Sequence, residues 1–398
     1  MQNPGFKRFF PPRRLPTRLK PGVNGNLFYK VKLIHFPSTS QSISLKILRT
    51  KNFGVVNRDL KEIRTVPRPF CVLCGAKGEL LYSNMTDRLF GAPGSWDFRL
   101  CTNPACALSW LDPVPVEADV HLLYRTYYTH GVADHGDSKE HVLVGLRSFF
   151  YGSYLAATYV PSRLLGLPQA RQRILNMFLD DLKPGRLLDV GCGNGVFLHR
   201  MHKLGWSATG LDFDASAIEN AKARYGSELT FLHTDLPNAH FPDNSFDAIT
   251  MNHVIEHVSD PVALLVETRR ILKPGGRLAV ATPNIGSFGH KKFRDDWRGL
   301  ETPRHLQVFS LKALEQCARK ASFSFVKVNS SAANADIIIG ASFGLLEARE
   351  KGDSFSGTRR VKTNFLRGIR SLLLQYREAL LLRHNPDCGE EAVLICQK

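Results

Sequence analysis

The stretch His253-Val254-Ile255-Glu256-His257 sets two imidazoles four residues apart with a carboxylate beside the second, a combination that could hold zinc and activate water. A zinc protease needs both histidines on one face of a regular helix, a third ligand elsewhere and an open coordination position. Here the motif leaves an apolar, strand-like run, FDAITM (246–251), and Pro261 follows within four residues, so the protease reading fails on context. Other chemistry stays open. Glu256 and His257 could take a divalent cation. His253, His257 and His305 are each candidates for a general base toward a hydroxyl, against plain packing or loop hydrogen bonding.

A second set surrounds LLDVGCGNGVFLHRM (187–201), which reads as strand, glycine-rich turn and helix. Gly191, Gly193 and Gly195 allow a tight turn and close approach of a ligand, and the helix start offers unpaired N–H groups. The spacing is G-x-G-x-G, and Val196 stands where a dinucleotide fingerprint needs its third glycine. Asp212 ends the next strand, where a carboxylate accepts ribose hydroxyls. Asp235 ends the one after, within reach of an adenine edge, and Asp189 precedes the glycines, near a ligand ammonium. A ribose, an adenine and a charged amino-acid end, with no pyrophosphate demanded, describe S-adenosylmethionine better than NAD.

These loops need strands to carry them. Apolar runs at 186–191, 207–213, 229–235, 246–251, 277–283, 323–328 and 391–396 alternate with helical stretches such as 214–226 and 260–273. Alternation of this kind predicts a mostly parallel sheet covered on both faces. LLDVGCGNGVFL, GLDFD, HTDLPNAHFPDNSFDAI, NHVIEHVSDP and ILKPGGRLAVATPN, in this order, resemble the class I S-adenosylmethionine-dependent methyltransferases over about residues 184–330 plus the final strand. The resemblance implies an α/β, Rossmann-like seven-stranded sheet whose last strand, EEAVLICQK (390–398), is antiparallel. It implies that the three glycines face the cofactor's amino-acid end, that Asp212 holds the ribose, and that Asp235 with Leu236 holds the adenine. Asp189, Phe213 and Asn252 complete the implied cofactor site. WRGLETPRHLQVFS (297–310) is loosely similar to a segment placed over the acceptor pocket in such enzymes. MNHV (251–254) lacks the Asn/Asp-Pro-Pro-aromatic motif of enzymes that methylate nucleobase amines, which argues against that chemistry.

Cys71-x₂-Cys74 and Cys101-x₄-Cys106 form two knuckle-like pairs, with Gly75 directly after the second ligand. Four thiolates suit a closed, structural Zn²⁺ site; a rubredoxin-like iron site or unligated thiols are the alternatives. The block from Cys71 to Pro115 resembles the zinc ribbon preceding the catalytic domain in some bacterial methyltransferases. The other cysteines, Cys192, Cys317, Cys388 and Cys396, are scattered, which points to a reducing compartment and a cytoplasmic location.

The expected organisation is a basic arm (1–65), the ribbon-like block (66–115), a helical linker or cap (116–182) and the methyltransferase domain (183–398) with a helical insertion at about 331–388. Residues 1–58 hold six Lys and six Arg with no acid, so they supply 12 of the net +17 and weaken any nucleic-acid argument from overall charge. A disordered tail, a transit peptide and an upstream start are the readings of that arm. No apolar run is long enough to span a membrane. TNFLRGIRSLLLQYREALLLR (363–383) is basic and apolar, fitting docking on the core or at an oligomer interface, or peripheral membrane contact. The functional expectation is methyl transfer to a small-molecule or glycan-type acceptor, lipid-linked glycans included, at oxygen. RNA methylation and a catalytically silent binding module are the competing readings.

Overall fold

In the computed structural model, which describes residues 63–124, 160–352 and 365–398, the apolar runs become the strands of one sheet. Most of the basic arm, the Tyr/Phe-rich stretches of 125–159 and residues 353–364 of the insertion lie outside the described residues.

The cysteine block comes first. It comprises β1 (Thr65–Val66), β2 (Gly78–Met85), β3 (Trp96–Cys101), β4 (Ser109–Asp112) and β5 (Val114–Pro115). β2, β3 and β4 form an antiparallel meander, and β1 pairs with β5. After the helix α1 (Leu167–Leu175) the alternating region begins: β6 (Arg186–Val190), α2 (Val196–Lys203), β7 (Ser207–Asp212), α3 (Ala215–Tyr225), β8 (Thr230–His233) and β9 (Phe246–Asn252). It continues through α4 (Pro261–Ile271), β10 (Leu272–Pro283), α5 (Phe288–Phe293), β11 (Gln307–Val308), α6 (Leu311–Lys320) and β12 (Phe325–Ser331). The insertion supplies α7 (Ala335–Glu350) and α8 (Phe365–Leu381) before β13 (Glu391–Gln397).

The seven-stranded sheet has the order β12-β13-β10-β9-β6-β7-β8. β6 to β10 run parallel, while β13 is antiparallel to both β10 and β12, as the resemblance implied. Local chemistry starts the helices where the sequence suggests. Asp214 accepts from the amides of Ser216 and Ala217 to cap α3, and Asp260 does the same for Val262 and Ala263 ahead of Pro261 in α4. β10 begins earlier than its apolar run, at Leu272, because its pairing with β9 skips a bulge between Leu272 and Arg277 that absorbs the Lys-Pro-Gly-Gly turn.

Each face of the sheet buries a different core. Leu187, Ala208 and Ala248 pack with Leu198 and Met201 of α2 and Ile218 of α3. On the other face Leu188, Ile249, Val280 and Leu394 meet Leu265 of α4 and Leu314 of α6, and this core continues without a break to Leu73 and Trp110 of the cysteine block. The block is also joined by hydrogen bonds. β11 pairs antiparallel with β4, Gln307 opposite Trp110 and Val308 opposite Ser109, so one sheet runs β11-β4-β3-β2. Ser310 Oγ donates to the Cys106 carbonyl at 2.6 Å, and Lys312 and Gln316 of α6 donate to the carbonyls of Pro104 and Ala105, each at 3.0 Å.

α8 docks on the core through a polar strip, burying Ser371, Gln375 and Glu378 together with Ala379. Gln375 Nε2 donates to the carbonyls of Ala332 and Ala333, while Leu373 and Leu380 face outward. Among the described residues no helix is long and apolar enough to cross a membrane.

Candidate active site

β6 is the strand from which the parallel order departs in both directions, toward β7 on one side and β9 on the other. A crevice opens at the carboxyl ends of strands at such a switch point. The glycine turn follows β6 there. Gly191 has φ 73 and Gly193 has φ 51, left-handed values that suit glycine; a Cβ on Gly191 would strike Val254, whereas one on Gly193 would meet nothing within 4 Å. Gly195 (φ 76) turns the chain into α2.

Asp212 closes the turn from β7. Its Oδ2 accepts from the Gly193 amide and its Oδ1 from the Asp214 amide, each at 2.9 Å. Asp189 is buried at the end of β6 and accepts from the Thr250 hydroxyl at 2.6 Å. Burial pushes the Asp189 carboxyl up to about 7, against the pull of Thr250 and with some help from the Asp212 charge. Burial likewise raises Asp212. Two desolvated carboxylates thus share one turn, an arrangement that a cationic ligand would relieve. Phe213, 51% exposed, directly follows β7, and Asn252, also exposed, ends β9. Leu236 is buried, and exposed Asp235 has both oxygens engaged by Asn238, at 2.9 and 3.0 Å.

The HVIEH segment leaves β9 as a short turn, with Ile255–His257 in a single 3-10 turn and His253 at φ 56, so its two histidines do not share a regular helix face. His253 lies between carboxylates, Nδ1 at 3.1 Å from Glu256 and Nε2 at 3.2 Å from Glu391. Burial alone would lower its pKa, but the two carboxylates outweigh that and lift it to about 10, so the ring is a cation at neutral pH. Burial would raise Glu256, yet His253 and the neighbouring histidines hold it at about 2.

His257 Nδ1 is 3.0 Å from the Arg304 carbonyl and 2.9 Å from the Tyr124 hydroxyl. A carbonyl only accepts, so Nδ1 carries a proton, and the tautomer this selects for a neutral ring is the one with its lone pair on Nε2. His305 is buried, donates from Nδ1 to the Gly299 carbonyl at 2.8 Å, and is pushed down to about 4 chiefly by burial. Its ring stands edge-on to His257 with centroids 4.7 Å apart. The three histidines named from the sequence therefore converge, with different proton states. Glu256, His257 and His305 also bring ligand-type atoms within 4.8 Å of one another, which adds His305 to the pair considered for a divalent cation.

Four other residues of this site were not singled out from sequence. Tyr124 sits edge-on to Phe213 with centroids 5.0 Å apart and links the residue after Asp212 to His257. Glu391 pairs with His253 from β13, and Arg304 and Asp87 form a fully buried ion pair at 2.8 Å. Only an arginine next to a candidate base, inside the PRHL segment, offered any sequence signal.

In the cysteine block the Sγ atoms of Cys71 and Cys106 are 3.7 Å apart and those of Cys74 and Cys101 3.3 Å apart, and all four lie within 4.8 Å. Tetrahedral Zn–S bonds of about 2.3 Å place sulfurs roughly 3.8 Å apart, so the four thiols fit such an ion. All are free cysteines, and three of them are buried.

Residues 164–328 match a family model described as a methyltransferase domain. An uncharacterised methyltransferase of Mycobacterium bovis is 34% identical over 97 residues, 24% of this chain and 49% of that protein. A ubiquinone biosynthesis O-methyltransferase of Xanthomonas oryzae pv. oryzae is 36% identical over 110 residues, 26% of this chain and 45% of that protein. The chain spans about half the length of the curated relatives it matches. Among solved structures, phosphoethanolamine N-methyltransferase 2 of Haemonchus contortus with S-adenosyl-L-methionine aligns over 57% of this chain and 52% of that one, at 20% identity and TM-score 0.39.

Two outcomes follow from this geometry. Purified protein should carry about one zinc per chain by elemental analysis, and Cys101→Ser should lose both metal and folded stability. The second concerns pH. Folded His253 keeps its proton up to about 10, whereas an unfolded histidine releases it near 6.5, so its stabilising contribution is complete below pH 6.5 and is lost as pH rises through 10. Thermal unfolding scans across that window should show a falling midpoint, with a shallower fall for His253→Gln.

Proposed function

We propose that this chain transfers a methyl group from S-adenosylmethionine to a hydroxyl of a small-molecule or glycan-type acceptor, with His257 as general base. The observation that carries the reading is the pair of buried carboxylates, Asp189 and Asp212, around a left-handed glycine turn at the switch point. That turn has room on the Gly193 side and a charge deficit that a sulfonium and an ammonium would fill. Each Asp212 oxygen spends one lone pair on a backbone amide and keeps another for a ribose hydroxyl. Phe213 and Leu236 offer apolar surface to an adenine, and Asp189 a counter-charge to the amino-acid end.

S-adenosylmethionine supplies an electrophilic methyl group when bound; the residues of the chain do the rest. Displacement at a methyl group gains most from alignment and exclusion of water. An alcohol must also lose its proton, and a neutral imidazole with Nε2 unprotonated suits that step. The contact of His257 Nδ1 with the Arg304 carbonyl selects that tautomer. His253, protonated between two carboxylates, has no lone pair to offer, and buried His305 is better suited to support the neighbouring ring. The family match over residues 164–328 supports methyl transfer, and the names of the ubiquinone-pathway relatives support oxygen as the accepting atom. Four thiols in the cysteine block would hold a structural Zn²⁺, away from the reacting atoms.

Binding of S-adenosylmethionine, followed by calorimetry, should weaken on the order of 100-fold in Asp212→Ala, the loss of one or two charge-assisted hydrogen bonds. The same titrations should weaken as pH falls below about 7, where Asp189 takes up a proton, and Asp189→Asn should flatten that dependence. His257→Gln should lower turnover roughly 100- to 10,000-fold with the cofactor still bound. The acceptor is found by incubating the full chain with methyl-labelled cofactor and a methylation-deficient lysate, with Asp212→Ala as control. Label in glycan or small-molecule fractions supports the reading; label in nuclease-sensitive material transfers it to RNA, and no control-dependent label removes it.

A further inference from the structure

We propose that Asp87, in the cysteine block, is a positioning residue for His257 and acts through Arg304. The catalytic importance of that position rests on the base role proposed above; the clamp itself rests on geometry. The Arg304 side chain is fully buried, as is that of Asp87. A buried guanidinium is tolerated only where paired and hydrogen-bonded. Asp87 provides the pairing in bidentate form, accepting from Arg304 Nη1 at 2.8 Å and Nη2 at 2.9 Å. Its carboxylate is itself held by the amides of Leu89, Phe90 and Ala92 at 2.8 to 2.9 Å, so the anchor is rigid. Glu301 Oε1 accepts from Arg304 Nε at 3.2 Å, and the Phe90 ring covers the guanidinium 4.4 Å from its centroid.

What Arg304 controls gives this pair its consequence. The Arg304 carbonyl is one acceptor for His257 Nδ1–H. The other is the Tyr124 hydroxyl, and Arg304 Nη1 also donates to the carbonyl of the preceding residue, Leu123, at 3.1 Å. One guanidinium therefore fixes both groups that define the His257 tautomer, and a loop 217 residues away in sequence fixes the guanidinium. Without Asp87 the two acceptors lose their common anchor, and the Nε2 lone pair loses its defined direction. A misplacement of about 1 Å at such a group costs roughly 100-fold in rate.

The test is the state of the His257 ring, read by long-range proton–nitrogen correlation in full-length protein labelled with ¹⁵N-histidine, with His257→Gln assigning the signals. The wild type is expected as the neutral Nδ1–H form at mildly alkaline pH. Asp87→Ala should give a mixture of tautomers. Because that variant strands a buried charge, Asp87→Leu/Arg304→Met is measured alongside, since apolar side chains of similar size restore a packed core. The double variant should also give mixed tautomers, keep wild-type affinity for S-adenosylmethionine and lower kcat/KM roughly 100-fold once an acceptor is known. A folded double variant with His257 still wholly in the Nδ1–H form overturns the proposal, as does a wild type in the Nε2–H form. Failure of the wild type to bind S-adenosylmethionine would instead sink the methyltransferase reading and leave the clamp standing.

Discussion

The constraint on which the rest depends is the reversal of strand order at β6. A parallel sheet covered on both faces by helices has no room for a ligand along its length, so reactive groups gather at the carboxyl ends. The helices that follow β6 and β9 pack on opposite faces of the sheet, so the loops leading to them part at the strand ends. Gly191 to Gly195, Asp212 and the HVIEH turn all lie at such ends. Left-handed backbone at Gly191 and Gly193, and at His253 with φ 56, is the local expense of bending the chain so sharply.

The two sides of the crevice have different origins. The glycine and aspartate side is built by consecutive βα units, each residue placed by the strand it ends. The histidine side is assembled from distant parts of the chain: the turn after β9, the 299–305 segment, Tyr124, and Glu391 on β13. The cysteine block binds that second side to the sheet through β11, the carbonyl contacts of α6 and a shared apolar core. A metal ion held by the four thiols would staple the block in that position.

Electrostatics separates three histidines that composition cannot tell apart. His253 lies between two carboxylates and is a cation, His305 is buried and neutral, and His257 is set by two oxygen acceptors at one nitrogen. His253 and His257 are four residues apart in sequence, yet one partner of each comes from far away. The Glu391 contact to His253 spans 138 residues and the Tyr124 contact to His257 spans 133.

The sheet, the glycine turn, the place of Asp212 at a strand end and the four-thiol cluster were all legible in the chain before folding. Each of these depends on short-range pattern: alternating apolar runs, glycines at fixed offsets, a carboxylate at a strand end, cysteines in paired spacing. The start of β10 departed from pattern because its neighbour β9, by register, decided where pairing begins. Only the folded chain gives the three histidines different partners, and only it packs the cysteine block against the histidine side of the strand ends. A proton's location depends on whichever donors and acceptors lie within about 3 Å, and some of these, more than a hundred positions away in the chain, arrive only after it has folded.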